Sequence, residues 1–322
     1  GARLGVVGLN HMLPFNRNNF MKITLSASAN SSYYDYEEPD SLNSSEVVKT
    51  EDGSWEKSSL RSAIMFSSKL NSRNRIVAGI KFTRHYYNLY EHYLDEDLNR
   101  WVYGMNMNRN TDSWQSYLSW KCRLGDQLTF ISGIHGIYFS LNGEFNLEPR
   151  FGLKWQIDSK QTVHLGYGSH SKSESIITYY TIVNYSDGQS LTPNKNLGLS
   201  KARHYVLGYE YRFNRNLNSK IEFYYQDLYN IPVENIDTSY YTILNSDEGY
   251  ISKALVNEGS GYNCGIEFTL ERYFANGYYF LLTSSVFDSK YRAKDDLLRN
   301  TKYNGNFSLN FLAGKEFSIG RG

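Results

Sequence analysis

The side chains able to do chemistry are present in this sequence, but not in working sets. Adjacent carboxylates occur at Glu37-Glu38 and Asp295-Asp296. Two carboxylates hydrolyse a bond only when both face one substrate. Neighbours in an extended loop point apart, so both pairs read as solvated loop residues. Seven His raise the question of a metal. His164 and His170 share one strand face, but six residues of strand span about 20 Å. His85, His135 and His204 stand alone in sequence, and no Cys or carboxylate completes a ligand motif. Cys122 and Cys264 are the only cysteines. Two cannot build a disulfide scaffold or a four-cysteine zinc site. Both fall on the apolar side of their segments and read as reduced, small hydrophobes. Gly166-Tyr167-Gly168-Ser169-His170 and Gly259-Ser260-Gly261 flank strands rather than lead into a helix, which a phosphate loop requires. No GxSxG motif occurs. No catalytic residue, metal or cofactor is expected, and the chain does not read as an enzyme.

What remains is binding. Tyr179, Tyr180 and Tyr185 lie in one long polar connection with Asn184 and Asp187; Tyr240 and Tyr241 lie in another. Tyrosine offers a flat, rigid surface plus a hydroxyl, which suits sugars and amphipathic ligands. These seven residues are the candidate ligand contacts. The competing reading is that the tyrosines pack their own loops. Net charge is +1, from 34 Lys+Arg against 33 Asp+Glu, which gives no argument for nucleic acid.

The elements that must position such loops have period 2. From Arg75 to Tyr86, Ile76, Ala78, Ile80 and Phe82 alternate with Gly79, Lys81, Thr83 and His85. From Tyr205 to Phe213 the apolar set opposes Glu210 and Arg212, and from Tyr262 to Glu271 it opposes Asn263, Glu267 and Thr269. Alternation of this kind predicts about thirteen strands and no helix of consequence. The weakest is the first, near Leu4 to Met12, and the last runs from Tyr303 to Leu312. Tight turns recur at Pro14–Asn19, Asn71–Asn74, Leu124–Asp126, Asp158–Lys160, Asn214–Leu217 and Phe274–Gly277. Between them lie long connections at Asp35–Glu56, Tyr90–Ser113, Ser171–Arg203, Leu228–Gly259 and Asp288–Lys302. One short link, Leu141–Asn146, occupies a long-connection slot.

Short and long connections alternate as in an up-and-down transmembrane β-barrel, with short turns on one rim and long loops on the other. The polar faces carry Lys, Arg, Glu and Asn, which suits a wet lumen, while the apolar faces suit lipid. No run approaches the ~18 apolar residues of a spanning helix. A mean hydropathy of −0.55 is compatible with this, because only alternate strand residues meet lipid. The N-terminus, GARLGVVGLNHMLPF, lacks the features of a signal peptide. The chain starts and stops abruptly and reads as a piece of something longer.

Several blocks together resemble a known family. They include HGIYFSLN with LEPRFGLKWQ (135–142 and 147–156), LGYGSHSKSE (165–174) and TPNKNLGLSKARHYVLGYEY (192–211). FYYQDLYNIPVE (223–234) and the stretch from Asn257 to Phe317 follow in order. From about Leu60 to Phe317 the chain resembles the barrel domain of TonB-dependent outer-membrane receptors of the type with a carboxypeptidase-regulatory-like domain. The resemblance implies a barrel of about 22 strands, a plug domain within it and coupling to the TonB system. Its implied partners are outer-membrane lipid and a small nutrient ligand such as an iron chelate, cobalamin, a glycan or a peptide. The sequence departs from the family in lacking a plug, a TonB box and the last strands. Residues 1–322 are therefore expected to be a barrel fragment of a protein in a Gram-negative outer membrane. A passive porin-like channel and a surface adhesion or protein-docking barrel are the rival readings.

Overall fold

The computed structural model describes residues 1–39, 47–95, 100–185, 188–246, 251–317 and 320. Thirteen long strands dominate it. They are β1 (Ala2–Pro14), β2 (Asn19–Pro39), β3 (Val47–Lys69), β4 (Asn74–Asp95), β5 (Arg100–Leu124), β6 (Leu128–Phe139), β7 (Glu144–Gln156) and β8 (Gln161–Lys172). After α1 (Ile176–Tyr180) and the short pair β9 (Val183–Asn184) and β10 (Ser190–Leu191) come β11 (Ser200–Arg212) and β12 (Leu217–Glu234). Then follow β13 (Leu255–Ala275), β14 (Tyr278–Arg292), the short β15 (Leu298–Asn300) and β16 (Phe307–Lys315). Every long strand pairs antiparallel with the next long strand, and β15 adds to β14 beside β16. β1 and β16 do not pair with each other, so the sheet is open.

Register explains the two faces. Residues paired across antiparallel strands share a face, so apolar positions form continuous rows. One row runs Leu165, Leu207, Phe223, Ile266, Val286, Phe307. The neighbouring row on the other face runs His164, Gly208, Glu222, Glu267, Ser285, Ser308. Ile80, Trp120, Trp155, Leu207, Ile266 and Phe268 are exposed, which suits the outer face of a transmembrane barrel. Aromatics border the band. Phe151, Tyr167, Tyr205 and Tyr225 form one rank with ring centroids 6.1, 5.2 and 6.3 Å apart. Tyr211 with Phe213, Trp120 with Phe130 and Phe15 with Phe66 mark the opposite border. Such paired girdles sit at the two membrane interfaces.

The six tight turns occupy one rim. Four share a device: an Asn or Asp side chain accepts backbone N–H groups two and three residues ahead. Asn16, Asn71, Asp158 and Asn214 all do this. Between β13 and β14, Asn276 and Gly277 both take positive φ (56° and 79°), the geometry of a two-residue hairpin turn.

Two of the expected loops are mostly strand. Asp35–Glu56 pairs out to Pro39 with Val47, and Tyr90–Ser113 pairs out to Asp95 with Arg100. Beyond the apolar band the strands continue with no hydrophobic alternation to show it. Leu228–Gly259 is likewise strand at both ends, and the last strand begins at Phe307 rather than Tyr303.

Candidate ligand-binding site

The connections β8–β11 and β12–β13 leave the same rim, two strands apart, and both turn inward. The first carries Ile176, Ile177 and Tyr179 on α1, which pack against Leu89, Met105, Met107 and Phe139 of the lumenal wall. Leu197, Leu199, Ile251 and Leu255 complete this apolar cluster. The register of β5 on β4 shifts between Glu91 and His92, and there the Gly104 carbonyl accepts the Ile182 N–H at 3.1 Å. A bulge in the wall thus anchors the loop.

Amide side chains join the two connections. Asn194 is wholly buried; its Nδ2 donates to the Lys253 carbonyl (2.9 Å) and its Oδ1 accepts from the Leu255 N–H (2.8 Å). Asn257 accepts from the Gly198 N–H (2.7 Å) and donates to the Asn230 carbonyl (2.9 Å). Glu144 accepts the Leu199 N–H (2.6 Å) and pairs with Lys201 (2.8 Å). Every one of these bonds except the Glu144–Lys201 ion pair satisfies a backbone group that irregular chain would otherwise leave unpaired.

The sequence-derived candidates fall unevenly on this unit. Tyr179 has 0% exposure and lies 5.6 Å from the Phe139 ring; its hydroxyl accepts the Glu174 N–H. In this arrangement its ring packs the loop and presents no face to a ligand. Tyr180 and Tyr241 are half-buried on the fringe of the same cluster, which brings the two loops' tyrosine pairs to one place. The Lys253 ammonium stands 5.3 Å from the Tyr241 ring. Tyr240 is 68% exposed beneath the Arg299 guanidinium, and Tyr185 is exposed. Asn184 accepts from Ser190 Oγ (2.6 Å) and donates to the Tyr103 carbonyl (3.4 Å). Asp187 lies outside the described residues.

Other groups converge that sequence reasoning did not connect. Glu148, 2% exposed, accepts from Arg150 (2.8 Å) and from the N–H (2.7 Å) and hydroxyl of Ser171, and bonds His135 Nδ1 (2.8 Å). His170 and His204 have ring centroids 4.6 Å apart. Even so, among the described residues no group of three or more His, Cys, Asp or Glu is arranged to hold a metal. Higher on the lumenal face Tyr34 bonds Glu51 (2.7 Å) beside the buried Glu91. Glu51 and Glu91 are 40 positions apart, so no spacing motif links them. The alternation Tyr87, Leu89, Glu91, continued past the apolar band, was the available signal.

The sequence matches the family described as TonB dependent receptor-like, beta-barrel, over residues 3–321. The chain belongs to the TonB-dependent receptor β-barrel family. Solved structures agree in fold. The copper transporter OprC superposes with a TM-score of 0.69 at 8% identity, over 98% of this chain and 50% of that one. The ferric-catecholate import receptor Fiu from E. coli K12 gives 0.70 at 11%, over 98% and 52%. The siderophore receptor PirA from Acinetobacter baumannii gives 0.71 at 11%, over 98% and 48%. The chain spans about half the length of these structures. No curated protein matches it. The TonB-dependent receptor fold accounts for the alternating turns, the wet face and the apolar band.

Proposed function

We propose that residues 1–322 are the barrel portion of an outer-membrane receptor that takes up a scarce nutrient and draws energy from the TonB system. The one observation that carries this reading is the mouth. Two long connections fold into the lumen as a packed unit and hold half-buried and exposed tyrosines over a polar wall. A receptor that must hold a dilute ligand needs a preorganised surface, and a packed unit of this kind supports that reading over an open pore. Tyr180, Tyr185, Tyr240 and Tyr241, with Asn184 and Asp187, are the proposed contacts; Tyr179 supports them from beneath. The order of the sequence blocks favours the receptor type with a carboxypeptidase-regulatory-like domain. The related structures are named for copper, ferric-catecholate and siderophore traffic, so metal chelates head the panel of substrates. The protein works by binding and moving its ligand, with no bond made or broken in it.

The test is growth and labelled uptake across iron chelates, copper, cobalamin, glycans and peptides. Wild type, a deletion strain and a TonB-deficient strain are compared. Uptake of one class should fall in both mutants. Uptake lost on deletion but intact without TonB identifies a passive channel. Unchanged uptake with lost surface attachment identifies an adhesion barrel.

A further inference from the structure

Six buried side-chain polar atoms have no hydrogen-bond partner among the described residues. Three of them, Thr50 Oγ1, Trp55 Nε1 and Glu91 Oε2, lie on the paired upper segments of β3 and β4. Buried polar atoms in a native fold normally have a partner in the protein or an ordered bound species. Glu91, opposite Gly53, stands between the strand positions of Thr50 and Trp55, and its orphaned oxygen marks something small that the protein itself does not supply.

The geometry there is specific. Glu91 is only 5% exposed and stands opposite Gly53. Gly53 leaves room for the Tyr34 ring to lie across the sheet: a Cβ at that position would come within 2.4 Å of the ring. The Tyr34 hydroxyl donates its one proton to Glu51 Oε1 at 2.7 Å. Glu51 is the diagonal neighbour of Glu91, two residues along from Gly53, a separation that long side chains bridge. Thr50 sits where the register of β3 on β2 slips, between Tyr36 and Glu37. Asp35 and Asp52 pair across the hairpin on its other face and are met there by Lys49, so the negative charge beside Tyr34 is that of Glu51 and Glu91.

We propose that Glu51, Glu91 and Thr50 hold a divalent cation of the calcium class where the extended ends of β2, β3 and β4 meet. The donors are all oxygen, which suits a hard cation rather than zinc or copper. Two carboxylates balance the double charge. Calcium accepts six to eight oxygens in irregular geometry and keeps waters, and the Trp55 N–H finds its acceptor in such a water. Burial, then the charge of Glu51, pushes the Glu91 carboxyl up to about 7, a cost that a bound cation removes. The site ties the β2–β3 hairpin to β4 and does not depend on which nutrient the receptor carries.

Trp55 and Tyr34, with ring centroids 6.4 Å apart, make the site readable, because excited aromatic rings transfer energy to bound terbium. Full-length protein in detergent, stripped with chelator, is titrated with Tb³⁺ under indole excitation and then with Ca²⁺. Saturable luminescence displaced by Ca²⁺ is expected. E91Q and E51Q should each weaken Tb³⁺ binding at least tenfold. W55F should lose most of the luminescence while radioactive calcium still binds. Heat-modifiable migration identifies the variants that assemble, and E51Q decides the matter if E91Q does not. Absence of a saturable signal in wild type, or wild-type affinity in the assembled variants, overturns the proposal and leaves a buried water as the missing partner.

Discussion

Burial and a neighbouring carboxylate oppose the charge of Glu91, and that sets a pH dependence with a definite sign. Its carboxyl moves from an ordinary 4.5 up to about 7, through burial first and Glu51 second. The folded state therefore holds this proton more tightly than the unfolded state. The stabilisation is fully present below pH 4.5 and is lost as pH rises through about 7. The loss is about 3 kcal/mol for a shift of this size. Without calcium, amide exchange protection of 85–95, corrected for intrinsic rate, should fall across that window in wild type and stay flat in E91Q. Asn194 makes a second case. Replacing it with Ala leaves the Lys253 carbonyl and Leu255 N–H unpaired in a buried place, a cost of about 2 kcal/mol. Exchange at 190–199 and 251–257 should speed up roughly thirtyfold while the strands keep their protection.

A single strand shows what the period of two does for function. Phe268 and Thr269 are neighbours on β13, yet Phe268 pairs with Ile221 on the apolar face and Thr269 with Lys220 on the polar one. A Lys facing lipid at mid-membrane costs ~2 to 4 kcal/mol, and water in the lumen removes that cost. Phe268→Lys should abolish most of the heat-resistant folded band in the outer membrane; Thr269→Lys should leave it near wild type. Equal yields would mean that the faces are reversed or that neither meets lipid. The same physics decides how much was legible beforehand. From Arg75 onward the alternation begins with the strand, and the expected start lies one residue from the observed one, Asn74. In β3 and β5 only the lower part crosses the apolar band, so the expected connections Asp35–Glu56 and Tyr90–Ser113 cover the polar extensions from Val47 and Arg100. The tyrosine loops stood out by composition. Their inward packing did not, because it depends on Leu89, Met105 and Phe139 from three other strands. The grouping of Tyr34, Glu51 and Glu91 was hidden in the same way by long-range pairing.

At the scale of the whole molecule, sidedness follows from counting. Thirteen long strands run up and down without a crossover, so an odd number of strands precedes every tight turn and an even number precedes every long connection. Ser72 follows the third long strand and Ser159 the seventh, while Asp237 follows β12, the tenth. All three are exposed. In outer-membrane barrels short turns face the periplasm and long loops face outside. Single cysteines at these positions, in a background with Cys122 and Cys264 replaced by Ala, make the arrangement measurable with a membrane-impermeant maleimide. Asp237→Cys should label on intact cells. Ser72→Cys and Ser159→Cys should label only after the outer membrane is permeabilised. The pattern is sensitive because one strand miscounted between two positions sends every later connection to the opposite rim. Labelling of Ser72→Cys but not Ser159→Cys on intact cells would place such an error between β4 and β7. Uniform reversal of all three would keep the topology and invert the barrel, which would move the tyrosine loops to the periplasm and end their candidacy as the site of first capture.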